Sequence, residues 1–342
     1  MWGGAGRTDA CTPTLASYGH LRARRAPCPG ARGPVVRGFS YFAHYTSGRR
    51  EGHLPKGEQR VYNNSTGQSL AHSPAAGVDG ARPAPPTARS SREGGTPGVK
   101  RKVQLFVTCL IDALEPETGD CVVELLERAG IQIDVPEGQT CCGQPAFNGG
   151  FWEEARAMAK HTIEVFGDGD LPVVVPSGSC GYMVAHHYPE LFQGDPVWYP
   201  RAVRLSGRIR ELTQFLVDDL GVTDLGARFD GRLTYHASCH LLRGMGIHRQ
   251  PLALLSKVQG AELVTMEGEQ ECCGFGGLFS IKFGEISGGM MERKLDNILA
   301  TGAQRVVGCD LSCLLNINGG LHRRGSSVKG VHIARILAGK AD

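Results

Sequence analysis

The chain has 342 residues, 41% of them hydrophobic, enough for about two cores of ordinary domain size at roughly 100 to 200 residues each. Its net charge of +3 combines two opposed parts: residues 1–100 hold 14 Lys and Arg against 5 Asp and Glu, whereas residues 101–342 hold 23 against 29. The basic balance therefore belongs to the leader and argues against a nucleic-acid-binding body, and no stretch reaches the roughly 18 to 20 apolar residues of a spanning helix, so a soluble protein without a transmembrane segment is expected.

Residues 1–100 are rich in Gly, Ala, Arg, Pro and Ser, as in Arg82-Pro83-Ala84-Pro85-Pro86, and carry no helical or strand period. Such composition buries too little apolar surface to offset its ordering entropy, which predicts a disordered basic leader. Being Arg-rich and acid-poor, it also fits an organelle transit peptide; non-native sequence from an upstream start codon is the remaining reading. Cys11 and Cys28 lie within it and receive no role.

The body is expected to begin near Val103. Residues 103–107 read as a short buried strand before Cys109, 121–129 as a helix stopped by Gly130, and 131–135 as a second strand running into Cys141-Cys142-Gly143. Trp152, Ala155, Met158, Ala159, Ile163 and Phe166 mark one face of a core helix. A strand over 171–175 leads through Pro176-Ser177-Gly178-Ser179 to Cys180 and a further helix, on whose surface His186 and His187 are expected. Ile209, Leu212, Phe215, Leu216 and Leu220 predict an amphipathic helix, closed by Gly221, that links the halves. The order then repeats: strand 233–235, Cys239, a helix opened by Pro251, strand 262–265, Cys272-Cys273-Gly274, helix 287–300, strand 305–307 and Cys313. A strand over 328–331 and a helix over 333–337 close the chain.

The expected fold is thus α/β, with two tandem homologous Rossmann-like halves on parallel sheets. The parts are a leader (1–100), a first domain (101–200), a linking helix (201–230) and a second domain (231–342).

Eight of the twelve cysteines follow one pattern used twice. Cys109 precedes Cys141 by 32 positions and Cys239 precedes Cys272 by 33, while Cys142 to Cys180 spans 38 and Cys273 to Cys313 spans 40. A large chain with no apolar signal segment and glycine-flanked thiols reads as metal or redox chemistry in a reducing compartment rather than a disulfide framework. Parallel sheets place ligand sites beyond their strand ends, where Cys109, Cys141, Cys142 and Cys180, and likewise Cys239, Cys272, Cys273 and Cys313, converge. Soft thiolates select iron-sulfur clusters or zinc, and a dithiol redox pair is the third possibility. Neither the closely spaced cysteines of ferredoxins nor short Cys-x-x-Cys zinc pairs occur.

Other residues are weighed against blander roles. His236, His240 and Arg243 flank Cys239 and either tune a bound cluster or simply pack. Cys121 is a core residue within a helix, and Lys282, near the second doublet, either offsets anionic cluster charge or is an ordinary exposed lysine. Gly274-Phe275-Gly276-Gly277 is no dinucleotide loop, since the third fingerprint position falls on Phe279. Lacking a flavin or nicotinamide site, the chain is expected to pass electrons rather than oxidise a substrate unaided.

At Cys141-Cys142-Gly143-Gln144-Pro145-Ala146-Phe147-Asn148, Val174-Val175-Pro176-Ser177-Gly178-Ser179-Cys180, Tyr235-His236-Ala237-Ser238-Cys239-His240-Leu241-Leu242-Arg243, Glu271-Cys272-Cys273-Gly274-Phe275-Gly276-Gly277 and Asp310-Leu311-Ser312-Cys313-Leu314, the sequence resembles the cysteine-rich CCG-domain family, the lactate-utilisation protein A type above all. The iron-sulfur component of glycolate oxidase and the B component of heterodisulfide reductase share the domain. The resemblance implies a cytoplasmic iron-sulfur subunit of a complex that oxidises L-lactate to pyruvate with subunits similar to lactate-utilisation proteins B and C. It implies one cluster of the 4Fe-4S type per repeat, with zinc the alternative at one or both sites. Relatives of the heterodisulfide reductase kind hold theirs with five cysteines, the last two as Cys-x-x-Cys. Here Ser177 and Asp310 take the first place of that pair, and Cys309 stands one position out of register, so Ser177, Asp310, Cys309, His236 and His240 are the candidate additional ligands or ligand-supporting residues.

Overall fold

The computed structural model describes residues 101–341; the expected leader, with Cys11 and Cys28, lies outside the described residues. Two four-stranded, all-parallel sheets form the body. The first contains β1 (Lys102–Leu105), β2 (Gln132–Asp134), β3 (Val173–Val175) and β4 (Ile209–Glu211) in the order β2-β1-β3-β4. The second contains β5 (Arg228–Tyr235), β6 (Gln259–Val264), β7 (Arg305–Gly308) and β8 (Lys329–His332) in the matching order β6-β5-β7-β8. The cysteine repeat is therefore a repeat of topology. In each sheet the chain leaves the first strand to one side and then crosses to the other, opening a switch point beyond the carboxyl ends of β1 and β3, or of β5 and β7.

The apolar runs explain the layers. Val173, Val174 and Val175 are fully buried, as expected of a strand covered on both faces. Pro116 opens the helix Pro116–Arg128, which begins five residues before the predicted start because proline suits a first turn whose N–H has no acceptor. The facing sides of the two sheets share one core in which Val103, Leu105 and Leu125 join Leu233, Val307 and Ile333. Each outer side has its own cluster, one around Phe106, Ile163 and Val173 and one around Met291, Leu295 and Val306.

Two expectations need correction. Residues 201–230 are not simply a linking helix: the helix Trp198–Arg208 ends at Ile209, and Ile209–Glu211 is the fourth strand, pairing Val173 with Ile209 and Val175 with Glu211. Helical backbone resumes only over Leu212–Gln214 and Phe215–Asp219. Ile209 fits the helical period because a strand entering a helix places its buried residue at a compatible spacing; the edge of the sheet decides the matter. Trp152 also leaves its predicted core stripe. It opens the helix Trp152–Phe166 and is 57% exposed, whereas Ala155, Ala159, Ile163 and Phe166 are buried.

Candidate metal centres

Local structure places the cysteines in the same way in both halves. Cys109 opens the helix Cys109–Leu114 after β1, and Cys239 precedes the helical turn His240–Gly244 after β5. Cys180 lies in the helix Gly178–Tyr182 after β3, and Cys313 in the helix Leu311–Arg323 after β7. The doublets sit in irregular loops ending at Gly143 (φ +84°) and Gly274 (φ +85°). Both need glycine twice over, for the left-handed backbone and for the helix pressed against them. A Cβ on Gly143 would meet Met158 Cβ at 3.3 Å, and one on Gly274 would meet the Ser287 carbonyl oxygen at 2.5 Å. Immediately before Cys109, Thr108 is the described non-glycine residue with positive φ (+74°), a strained conformation of the kind that collects at functional sites.

Supporting side chains hold the loops. Gln139 accepts from the Val107 N–H (3.1 Å) and donates to the Leu105 carbonyl (2.8 Å), fixing the segment before Cys141 to the end of β1. Arg243 donates to the Gln270 carbonyl (2.8 Å) and does the same for the second doublet. Tyr188 donates its hydroxyl to the Cys142 carbonyl (2.9 Å), and Asn316 donates to the Cys273 carbonyl (2.9 Å). Neither Tyr188 nor Asn316 stands out in sequence, since each acts on a backbone oxygen more than forty residues away.

The thiols line up identically. Cys141 interacts with Cys109 and Cys142, and Cys142 with Cys180; Cys272 interacts with Cys239 and Cys273, and Cys273 with Cys313. Hydrogen bonds from Cys109 and Cys142 hold the Cys141 thiol down at about 3, aided by the Gly143 N–H. Cys272 is held at about 2, first by Cys239 and then by Cys273, with the Gly274 N–H 3.4 Å from its sulfur. The neighbours move the other way: Cys142 and Cys273 are pushed up first by those same hydrogen bonds and then by burial. Each chain of four thiols thus concentrates negative charge on its second member, a sulfur prepared for a cation. All ten described cysteines are free thiols.

This donor set fits a bound metal centre. A tetrahedral zinc thiolate site, with zinc-sulfur distances near 2.3 Å, needs every pair of sulfurs about 3.8 Å apart. Among the described residues, the group of three or more donors whose ligand atoms all lie within 4.8 Å of one another is His236, Cys273 and Cys313. Among the described residues no three sulfurs of either half are all that close, so the four thiols of each half form an open chain that could hold a metal or a cluster.

The remaining candidates divide sharply. His236 joins the second site; it is 1% exposed, with neither ring nitrogen partnered, and burial depresses its pKa to about 3. His240 is half-buried with Nδ1 3.8 Å from the Cys239 sulfur. Ser177 caps its helix instead, its Oγ accepting from the Cys180 N–H (3.4 Å). Asp310 is committed as well: Oδ1 accepts from the Ser312 N–H (3.2 Å) and hydroxyl (2.6 Å), and Oδ2 accepts from the Ser179 N–H (2.7 Å) in the other half. Cys309 is fully buried in the shared core, 3.8 Å from the Tyr235 hydroxyl and outside the thiol chain. Cys121 is core, and Lys282 is exposed.

Between the two sites lies an aromatic bridge. The Tyr182 ring sits 5.6 Å from His240, 4.7 Å from His186 and 4.9 Å from His187, and His187 lies 4.3 Å from Phe147, which follows the first doublet. His187 is therefore half-buried rather than on the surface, while His186 is exposed. Tyr182 carries no signal in the sequence because its contact across the halves, with His240, comes from a segment 58 residues away.

Glu211, at the end of β4, is a second buried group without a sequence signal. Its Oε2 accepts from the Thr213 N–H (2.7 Å), the Thr213 hydroxyl (2.5 Å) and the Gln214 N–H (3.2 Å), while Oε1 has no partner. Burial outweighs those bonds and raises its pKa from 4.5 to about 7. A raised acid favours the folded state in its protonated form, so this contribution is complete below pH 4.5 and lost as pH rises through about 7. The loss amounts to about 3 kcal/mol. Glu211→Gln keeps the acceptor and removes the titration. Urea denaturation at pH 5 and pH 8 should show a smaller difference between the two pH values in the variant than in the parent; equal differences would remove Glu211 as the cause.

Comparison with known proteins gives a consistent result. The cysteine-rich CCG domain model matches residues 103–185 and again residues 233–318. Lactate utilization protein A of Exiguobacterium sp. is 50% identical over 236 residues, covering 69% of this chain and 96% of that protein. Lactate utilization protein A of Geobacillus kaustophilus is also 50% identical over 236 residues, with 69% and 98% covered. Lactate utilization protein A 2 of Bacillus cereus is 45% identical over 237 residues, again covering 69% and 98%.

Proposed function

Because the chain belongs to the cysteine-rich CCG domain family, in its lactate utilization protein A branch, we propose that it serves lactate utilisation as an iron-sulfur electron-transfer subunit. The observation that carries this reading is the open chain of four thiols, repeated at the switch point of both sheets. Cys109, Cys141, Cys142 and Cys180 would hold one centre, and Cys239, Cys272, Cys273 and Cys313 the other. Such a centre, when bound, supplies one-electron redox chemistry. The protein supplies the rest. The buried Cys142, Cys273 and Cys313 restrict water on the inner side of each site, the Gly143 and Gly274 N–H groups neutralise part of the thiolate charge, and the Tyr182 ring brings polarisable aromatic groups from the first half to His240 beside Cys239.

In this reading the chain oxidises no substrate by itself but works with subunits similar to lactate-utilisation proteins B and C in the cytoplasm, passing electrons released as L-lactate becomes pyruvate. Exposed Phe151, Trp152, Ile281, Phe283 and Ile286 lie on the segments following the two doublets, an apolar rim of the kind that marks a partner surface. No described helix is long and apolar enough to cross a membrane. The tighter His236, Cys273 and Cys313 group supports a second reading, zinc in the second half.

Anaerobic reconstitution followed by iron and acid-labile sulfide analysis separates the two. Brown protein with iron and sulfide at both sites is expected, and co-purification with partners of the B and C types should give lactate-dependent dye reduction. Colourless protein holding only stoichiometric zinc would sink the cluster reading; catalysis of thiol-disulfide exchange by metal-free protein would point to dithiol chemistry instead.

A further inference from the structure

The two halves share topology, register and thiol order, yet one buried side chain breaks the repeat. His236 lies three residues before Cys239, just beyond β5, and the residue three before Cys109 is Phe106. Both are about 1% exposed. Phe106 packs against Phe166, ring centroids 5.2 Å apart, within the outer core of the first half. A side chain of that shape fills the position well, so packing alone gives no reason for an imidazole.

His236 has the opposite of a satisfied environment. Neither Nδ1 nor Nε2 has a hydrogen-bond partner, although buried polar atoms almost always find one and each orphan costs roughly 1 to 3 kcal/mol. Its neighbours offer no relief. Lys294, buried nearby, spends its ammonium on the Gly268 (2.5 Å) and Glu269 (3.3 Å) carbonyls. What His236 does have, mutually within 4.8 Å, are the sulfurs of Cys273 and Cys313.

We propose that His236 is a nitrogen ligand of the group held at the second site, so that the chain carries two chemically different centres, thiolate-only in the first half and thiolate plus imidazole in the second. This deepens the metal-centre reading above and rests on it. A second difference points the same way. Counting seven residues along the helices from Ala155 and Ser287, which press on Gly143 and Gly274, reaches Thr162 in the first half and Lys294 in the second. The second site therefore has a neutral donor and a buried cation where the first has neither. The buried cation raises the reduction potential of an iron-sulfur centre, because the reduced, more negative form is better stabilised. Electrons entering the chain would come to rest in the second half.

The test uses the full chain, reconstituted anaerobically with iron and sulfide and labelled with 15N-histidine. Pulsed EPR of the reduced protein should show one directly bound imidazole nitrogen, changing with the isotope. The coupling should survive His240→Phe and Cys142→Ser, and vanish in His236→Phe, which copies Phe106. Absence of any directly bound nitrogen in the labelled parent protein, a measurement independent of any variant, would overturn the proposal; so would a coupling that persists in folded His236→Phe.

Cobalt(II) loading of metal-free protein keeps this inference separable from the cluster reading. Protein that takes up no iron but binds cobalt(II) with imidazole nitrogen at one of two sites would refute the cluster and uphold His236 as ligand. Iron at both sites without nitrogen coupling would do the reverse.

Discussion

Serine at Cys142 or at Cys273 is expected to empty one site each, so that iron and sulfide per chain fall by about half in either variant and to background in the double variant. Both residues are the third sulfur of their chain, buried at 2% and 1% exposure, and each connects the doublet to the cysteine beyond the third strand. Serine has nearly the same shape, so the fold should survive while the soft donor is lost. With one centre missing from a two-centre relay, lactate-dependent dye reduction by the assembled complex should fall on the order of 100-fold or more. Metal analysis and anaerobic assays on the same preparations check both statements. Retention of iron at both sites in Cys273→Ser would remove that residue from the ligand set; stoichiometric loss of zinc without change in any redox signal would favour the structural reading of the site.

Alanine at Asp310 is expected to cost about 3 to 4 kcal/mol of stability. Its carboxylate caps the helix Leu311–Arg323 through Ser312 and also accepts the Ser179 N–H of the opposite half, at 2% exposure. Loss of the cap accounts for about 1 to 2 kcal/mol. Leaving the Ser179 N–H buried and unpaired adds roughly 1 to 3. Ser177, which takes the same cap position in the first half, accepts one backbone N–H at 3.4 Å and lies 3.3 Å from the Ser179 hydroxyl, and gives the control: Ser177→Ala should cost no more than about 1 kcal/mol. Chemical denaturation of both variants, followed by circular dichroism, makes the comparison. Near-equal losses would show that the bond across the halves contributes nothing. The shared core predicts one cooperative transition for the described body rather than two.

These two residues also show where sequence reasoning reaches and where it stops. The cysteine intervals alone place all eight thiols in two equivalent sets, and the strand order and thiol chains of the structure agree, because a local strand-loop-helix pattern carries both spacing and position. In sequence, Ser177 and Asp310 stand out only as gaps in a fuller cysteine pattern. Their work as helix caps, and the reach of Asp310 to Ser179, depend on the approach of two helices 131 residues apart in the chain. Gly178 and Gly244 are legible only afterwards as points where the helix Gly178–Tyr182 meets the turn His240–Gly244: a Cβ on Gly178 would meet Leu241 Cβ at 2.6 Å, and one on Gly244 would meet the Tyr182 ring at 2.5 Å.

The sequence by itself determined the α/β class, the doubling of the fold and the sulfur inventory of each site, since these follow from hydrophobic period, glycine placement and residue spacing within one half. It also named His236 without deciding between packing and chemistry. Only the tertiary structure settled the conversion of Ile209–Glu211 into a fourth strand, the burial of Glu211, the Tyr182 bridge and the isolation of both His236 nitrogens. Each of these depends on which distant surfaces exclude water together. Spacing along a chain records periodicity within an element, whereas desolvation and unmet hydrogen bonds arise from packing between elements.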